Sequence, residues 1–515
     1  MAQNTDDQKP VMAFLADPAS HGGQPVTRID THAAAVFLAG DRALKIKRSV
    51  WFPFLDYSTL EKRKAACEAE LAINRRTAPE IYRGVVAITA TENGGFEIGG
   101  RGEPVEWALE MRRFDENATL DRLAERNEID MLLADRLGRV IAQAHENAPT
   151  ADAAAWIDAL ANYIEQNAAA FAERNDLFPA DEAKRLTEAS RSAIQKLRPL
   201  ILRRGEQGLI RRTHGDLHLG NIVLIDGRPV LFDAIEFDPV VASGDVLYDL
   251  AFLLMDLVAR NLRPQANAVF NRYLIEAARD SDAEALAALP LFLSLRAAIR
   301  AKVTAARLDQ ASTQAAANIR QSAQRYFALA QQAIAPPLPR LIGVGGLSGT
   351  GKSVLARGLA PDIDPLPGAV VLRSDVMRKR MFAVAETDPL PQAAYTAEVT
   401  ATLYEKLIHT AQRIIAAGHS VVVDAVFARA AERESLAQVA HVQTVAFTGL
   451  FLTADLATRI SRVGSRRGDA SDADADVARR QEQYDLGALD WARIDASGTP
   501  EETLARARQQ LAQKP

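Results

Sequence analysis

The chain has 515 residues, 48% hydrophobic and 25% charged, which is ample for buried cores and excludes disorder as its dominant state. Sixty-six acidic against 61 basic residues leave a formal net charge of -5, so no whole-protein field draws it to nucleic acid or an anionic membrane. A single cysteine, Cys67, excludes an intramolecular disulfide, and one thiol among eight scattered histidines gives no structural-zinc spacing.

The opening MAQNTDDQKP is polar and acidic, lacks the basic start and apolar core of a secretory signal, and reads as a loose tail in a reducing, cytoplasmic setting. Between Thr27 and Lys47, β-rich runs flank Gly40-Asp41 and predict a hairpin. Lys45 and Lys47 alternate with apolar neighbours, so both project from one strand face. Leu60 to Arg76 has helical periodicity without breakers, and VVAITATENGGFEIGG and VEWALEMRRF predict strands around a Gly-Gly turn. The chain is then largely helical from Leu120 through Arg204 and again from Val246 towards Ile334, with strand-rich Arg211–Pro239 between. The most apolar stretches, Leu250–Met255 and Ala285–Leu295, fall far short of the ~18 residues a membrane span requires, so no membrane partner is expected.

Within the strand-rich interruption, HGDLHLGN (His214 to Asn221) precedes a strand pair around Asp226-Gly227 and then Val230-Leu231-Phe232-Asp233. Phosphoryl transfer needs a carboxylate at the acceptor hydroxyl and oxygen ligands for the Mg²⁺ that bridges the ATP phosphates. Asp216 suits the first task, Asn221 and Asp233 the second. His214 and His218 read as hydrogen-bonding braces, because imidazole pairs suit zinc better. An ATP-clamping lysine belongs on an early strand, paired with a glutamate on the following helix, which offers Lys45 or Lys47 with Glu70 or Glu68.

HGDLHLGN, LFDAIEFD and GDVLYDLA together resemble the aminoglycoside phosphotransferase and choline kinase branch of the protein-kinase-like fold. The resemblance implies a bilobal domain in which Asp216 is the catalytic base, Asn221 and Asp233 hold Mg²⁺, Asp245 and Asp249 set the loop geometry, and Lys45 with Glu70 binds ATP. THAAAVFLAG departs from that pattern, since it contains no G-x-G-x-x-G and the phosphate-covering loop must be built differently. WALEMRRF reads as the strand entering the hinge between lobes. Arg296, Arg300 and Lys302 recur at helical spacing, either as a solvated stripe or as the lining of a site for an acidic acceptor.

At Ala335 the run APPLPR ends the helical region, which sets the expected organisation: 1–334 a kinase-like domain, 335–340 a proline-containing linker, 341–515 a second, separable domain. Beyond it, LIGVGGL, AVVLRSD, SVVVDAV and VAFTGLFL alternate with helical stretches and predict an α/β fold, a parallel sheet covered by helices. Residues 346–353 form a full G-x-x-x-x-G-K-S phosphate loop between strand and helix. Gly346, Ser348, Gly349, Thr350 and Gly351 turn backbone N–H groups onto phosphate oxygens, Lys352 bridges the outer phosphates, and Ser353 offers its hydroxyl to Mg²⁺.

Asp375 and Asp424 end apolar strands at the sheet's carboxyl edge, Asp375 as base for an attacking hydroxyl and Asp424 as support for Mg²⁺ or acceptor, with helix N-caps as the alternative. Arg462, Arg466 and Arg467 beside Gly468 suit a mobile lid, Arg467 acting on the transferring phosphoryl group, unless the segment is a solvated loop. This half resembles the P-loop kinases of the adenylate kinase-like group, particularly polynucleotide 5'-kinases, zeta-toxin-like and chloramphenicol phosphotransferase-like enzymes. The whole chain resembles a bacterial family that fuses an aminoglycoside phosphotransferase-like kinase to a P-loop kinase-like ATPase. That implies ATP- and Mg²⁺-dependent transfer to a small-molecule hydroxyl in the first half, and to a small molecule or a nucleic-acid 5'-hydroxyl in the second. The rival expectation is a nucleotide-gated regulatory protein.

Overall fold

In the computed structural model, which describes residues 8–52, 55–238, 240–465 and 468–512, the Gly40-Asp41 turn joins the antiparallel strands Ala34–Ala39 and Arg42–Lys47. They lie in a six-stranded antiparallel sheet of spatial order Val26–Asp30, Ala34–Ala39, Arg42–Lys47, Pro104–Arg112, Tyr82–Ala90, Phe96–Ile98. Period-two alternation sends Leu44 and Ile46 into an apolar cluster with Phe37, Ile88 and Ala108, so Lys45 and Lys47 project from the other face. Chain contacts divide the molecule into two units, Met1–Gln166 with Ile194–Asp256, and Asn167–Ala193 with Leu257–Pro515.

The expected loose tail is corrected from Gln8 onward. Val11 and Leu15 of the helix Lys9–Ala16 enter the sheet's apolar cluster. Gln8 is buried, donating to Lys47 O (2.9 Å) and Glu106 Oε2 (2.6 Å) while accepting from Ser49 N (2.6 Å). A single apolar turn after a polar opening gave too little pattern to predict this docking.

The helix Leu60–Asn74, capped by Thr59, buries Arg63, Cys67, Glu70, Ile73 and Asn74. Positions 63, 67, 70 and 74 form one helical stripe, and its buried polar groups are paired, as burial requires. Arg63 Nε reaches both carboxylate oxygens of Glu106 at 2.9 Å. Further along, the strands Ile222–Ile225 and Arg228–Leu231 close on a two-residue turn whose Asp226 and Gly227 both have positive φ, the turn whose twist matches an antiparallel pair.

In the second unit five parallel strands stand in the order Val370–Arg373, Val421–Asp424, Arg340–Gly346, Ala446–Thr453, Ala492–Asp495. The strand that feeds the phosphate loop is therefore central. Gly343 and Gly449, paired across two of these strands, leave no room for a Cβ because the Trp491 indole lies on them. The helix Thr313–Ile334 stops before Pro336-Pro337, and the next strand begins at Arg340. Among the described residues, no helix is long and apolar enough to cross a membrane.

Candidate active sites

Lys45 and Lys47 converge on one carboxylate. Lys45 Nζ donates to Glu70 Oε1 (2.8 Å) and Asp233 Oδ1 (2.8 Å), and Lys47 Nζ donates to Glu70 Oε2 (2.5 Å) and to Glu236. Tyr57 Oη also donates to Glu236, at 2.9 Å. Burial opposes ionisation of Glu70, but the charges of Lys45 and Lys47 hold its carboxyl down at about 2. Glu68, the other candidate, lies on the exposed side of the helix, 3.7 Å from Lys64.

Asp233 is fixed through its backbone. It sits at φ 61°, a left-handed conformation that a non-glycine residue adopts at a cost of about 1–3 kcal/mol unless its surroundings hold it there. Its N–H donates to Tyr82 Oη (3.0 Å), and the next, that of Ala234, to Asn74 Oδ1 (2.8 Å). The helix that carries Glu70 thus also sets the segment that carries Asp233.

Asp216 lies on a loop braced from beneath. Asn221 Nδ2 donates to Asp216 O (3.0 Å) and Oδ2 (3.1 Å). Asp249 accepts from Gly215 N (2.8 Å) and His214 N (3.3 Å), and from His145 Nε2 at 3.0 Å. Asp245 pairs with the buried Arg204. His214 Nε2 donates to Phe232 O (2.8 Å), and His218 Nδ1 accepts from Gly220 N (3.0 Å), so both histidines serve as braces. Burial pushes the His214 pKa down, which keeps the ring neutral.

In the second unit the chain leaves its central strand at Gly346 and re-enters helix at Lys352. Gly349 has φ 87°, and a Cβ there would fall 2.5 Å from the Arg459 carbonyl oxygen. Ser348 and Thr350 are buried in the loop, Thr350 Oγ1 donating to Leu347 O at 2.8 Å. Gly351 (φ 92°) opens the helix, and Lys352 Nζ donates to Leu347 O at 3.1 Å. Ser353 Oγ donates to Asp424 Oδ2 at 2.5 Å.

Strand register places Val344, Asp424 and Arg373 side by side. Arg373 Nε lies 3.5 Å from Asp424 Oδ2, and its Nη2 lies 2.6 Å from Asp469 Oδ1. Asp375 occupies the first turn of the helix Ser374–Met381. Burial, then the Asp424 charge, push its carboxyl above the usual range, against Lys352 and Arg373.

Arg462 lies on the helix Leu456–Gly464, its guanidinium donating to Ala496 O and Gly498 O at 2.7 Å each. Arg466 and Arg467 lie outside the described residues. Arg296 is buried and Arg300 stands 5.7 Å from the Tyr326 ring centroid, so these two do not form the solvated stripe that their spacing allowed.

Several contributors were missed by sequence reasoning. Gln481 Oε1 accepts from Ser348 N at 2.7 Å, and Arg459, 1% exposed, donates to Ser348 O at 2.8 Å. They hold the phosphate loop from over a hundred positions away in the chain, and nothing in local spacing marks them. Arg373 carried a signal, a cation at a strand's carboxyl end directly before Ser374-Asp375.

Residues 64–288 match the family described as the phosphotransferase enzyme family, and residues 341–485 match the AAA domain. With the fold, these define a kinase-class phosphotransferase that fuses a kinase-like domain to a P-loop kinase-like domain. The chain belongs to one family with the uncharacterized protein Rv2004c of Mycobacterium tuberculosis, to which it is 30% identical over 490 residues, 93% of this chain and 94% of that protein. The uncharacterized protein Mb2027c of Mycobacterium bovis matches with the same figures. Among solved structures, a choline/ethanolamine kinase family protein from Mesorhizobium loti is 16% identical, covering 63% of this chain and 97% of its own, with TM-score 0.36. A gluconokinase from Sinorhizobium meliloti is 20% identical, covering 34% of this chain and 93% of its own, with TM-score 0.25.

Proposed function

We propose that both halves use ATP to phosphorylate hydroxyl groups, the first on a small molecule and the second on a small molecule or a polynucleotide 5'-end. One observation carries the reading furthest. Lys45 from a strand, Glu70 from a helix and Asp233 from a loop 188 positions beyond Lys45 meet in one ion-paired centre. A solely structural ion pair does not require a base-bearing loop beside it, yet Asp216 and Asn221 stand on the loop that Asp249 braces.

In this reading Lys45 binds the ATP phosphates while Glu70 and Lys47 hold its position. Asp216 takes the proton from the acceptor hydroxyl as that oxygen bonds to the γ-phosphorus, and ADP leaves with the bridging oxygen. A magnesium site of this class would need only one or two protein oxygens. The donor sets fit that habit: Asn221 with Asp233 in the first site, and Ser353 with Asp424, already within hydrogen-bond distance, in the second. When bound, the ion would neutralise charge on the ATP phosphates. In the second site Asp375 is the acceptor-side base, and Arg467 supplies charge to the transferring phosphoryl group, whereas Arg462, held by Ala496 O and Gly498 O, has no part in a lid.

The test is an unbiased screen with labelled ATP against metabolite and oligonucleotide pools, run on the wild-type chain, Lys45→Ala and Lys352→Ala. A labelled product lost in one lysine variant and kept in the other assigns the acceptor to a site. ATP hydrolysis without any labelled acceptor favours the nucleotide-gated regulator instead.

A further inference from the structure

The strand Val370–Arg373 is an edge of the parallel sheet, with Val421–Asp424 on one side only. An open edge leaves backbone N–H and C=O groups in search of partners. Here the helix Arg263–Ala277, within the segment that matches the phosphotransferase family, supplies them. Asn271 Oδ1 accepts from Val371 N at 2.7 Å, and Asn271 Nδ2 donates to Ala369 O at 3.1 Å. The buried Asn267 donates to the same carbonyl at 3.0 Å. A carboxamide that accepts from one backbone group and donates to another stands in for a neighbouring strand.

The next residue of that helix reaches further. Arg272 Nη1 lies 2.5 Å from Glu386 Oε2, and Glu386 Oε1 lies 3.9 Å from Arg373 Nη1. Arg373 in turn faces Asp424, which accepts from Ser353 Oγ. Arg373 Nε is buried and makes no hydrogen bond, so its hold on Asp424 is electrostatic and depends on what competes for the guanidinium. Glu386 is such a competitor. Arg272 neutralises it, which leaves Arg373 to Asp424 and Asp469.

We propose that Arg272 is a positioning residue of the phosphate-loop site: by neutralising Glu386 it keeps Arg373 on Asp424 and so sets the Ser353–Asp424 pair for magnesium-nucleotide binding. This rests on the nucleotide reading of that site. It makes a helix of the phosphotransferase-matching segment a working part of the second active site.

The test measures binding of a non-hydrolysable ATP analogue, with and without MgCl₂, to the full chain carrying Lys45→Ala so that the second site reports alone. Arg272→Met is expected to lower the magnesium-dependent gain in affinity about tenfold, the scale of outer-shell changes at metal sites, while magnesium-free affinity stays the same. Adding Glu386→Gln to Arg272→Met removes the competing carboxylate and restores the gain, which a general packing role for Arg272 does not predict. Unchanged magnesium dependence in Arg272→Met, or no restoration by Glu386→Gln, overturns the proposal. Should Arg272→Met not fold, Arg272→Lys and Arg272→Gln decide: lysine keeps the neutralising charge and should keep most of the magnesium-dependent gain, glutamine should lose it, and an equal effect in both overturns the role. Failure of the underlying reading looks different, because the chain then binds no analogue or Lys352→Ala leaves its binding intact.

Discussion

Lys45 and Lys47 stand two positions apart on one strand, yet their surroundings divide their work. The Lys45 side chain is 16% exposed and reaches Asp233, whereas Lys47 is 4% exposed and locked between Glu70 and Glu236. Lys45→Ala is expected to weaken nucleotide binding at the first site and to lower stability less than Lys47→Ala does, because Glu70 keeps Lys47 and the half-exposed Asp233 regains water. Lys47→Ala leaves two buried carboxylates short of a partner, and calorimetry should show a loss of about 3–5 kcal/mol. At the acceptor side, Asp216→Asn keeps the hydrogen-bonding shape but removes the base. In a Lys352→Ala background, transfer should fall on the order of 100-fold or more while ATP affinity is nearly unchanged, as a kcat and Kd comparison checks. His419 supplies a pH dependence. Buried at 1% exposure and donating to Gly368 O at 3.0 Å, its ring is pushed down from 6.5 to about 4 by burial. A group that binds its proton more weakly when folded contributes stability that is complete above 6.5 and is lost as pH falls towards 4. The loss is roughly 3 kcal/mol, and His419→Gln should flatten the melting temperature of the second unit across that window.

Elements that announce themselves locally were readable from the chain. The Gly40-Asp41 and Asp226-Gly227 turns, the helix from Leu60 and the strand–loop–helix around residues 346–353 each carry their own turn chemistry or periodicity. The stripe on Leu60–Asn74 shows where such reading stops. Its buried positions include Arg63, Glu70 and Asn74, which hydrophobic periodicity counts as solvent-facing, and their partners Glu106, Lys47 and Ala234 come from other parts of the chain. Glu70 was reachable only because a clamping lysine needs a carboxylate on that helix. Gln481, Arg459 and Asn271 act through long-range hydrogen bonds, for which a sequence has no period. Within the phosphate loop, Gly349 tests how tightly those supports close. Gly349→Ala meets both a positive φ and the Arg459 carbonyl, so it should abolish analogue binding at the second site and cost about 1–3 kcal/mol, read by titration and thermal melt.

Compactness does not follow the proline connector. The segments 167–193 and 257–334 cluster with the phosphate-loop sheet, and the rings of Phe171, Phe178 and Phe327 pack within 5.1 Å of one another, centroid to centroid. A fragment that begins at Arg340 loses Asn267 and Asn271 from the sheet edge, and with them the partners of Val371 N and Ala369 O. Cutting there is expected to give a phosphate-loop fragment that melts lower than the same region in the full chain and self-associates through Val370–Arg373. Sedimentation of the fragment alone and with a synthetic Arg263–Ala277 peptide checks this. A monomeric fragment as stable as the intact chain shows that the halves separate at the connector.

The indole of Trp491 lies across Gly343, Gly345 and Gly449, with Phe427 and Phe447 beside it at 4.9 and 5.8 Å between ring centroids. The strand that delivers the phosphate loop therefore has a native fluorophore seated on its backbone. Replacing Trp51, Trp107 and Trp156 by phenylalanine leaves an emission spectrum that belongs to this strand alone. Buried among aromatic and aliphatic groups, it should emit at the blue end of the tryptophan range, and quenching by iodide should be weak until the strand loosens. Occupation of the loop then becomes visible as light, without a labelled nucleotide.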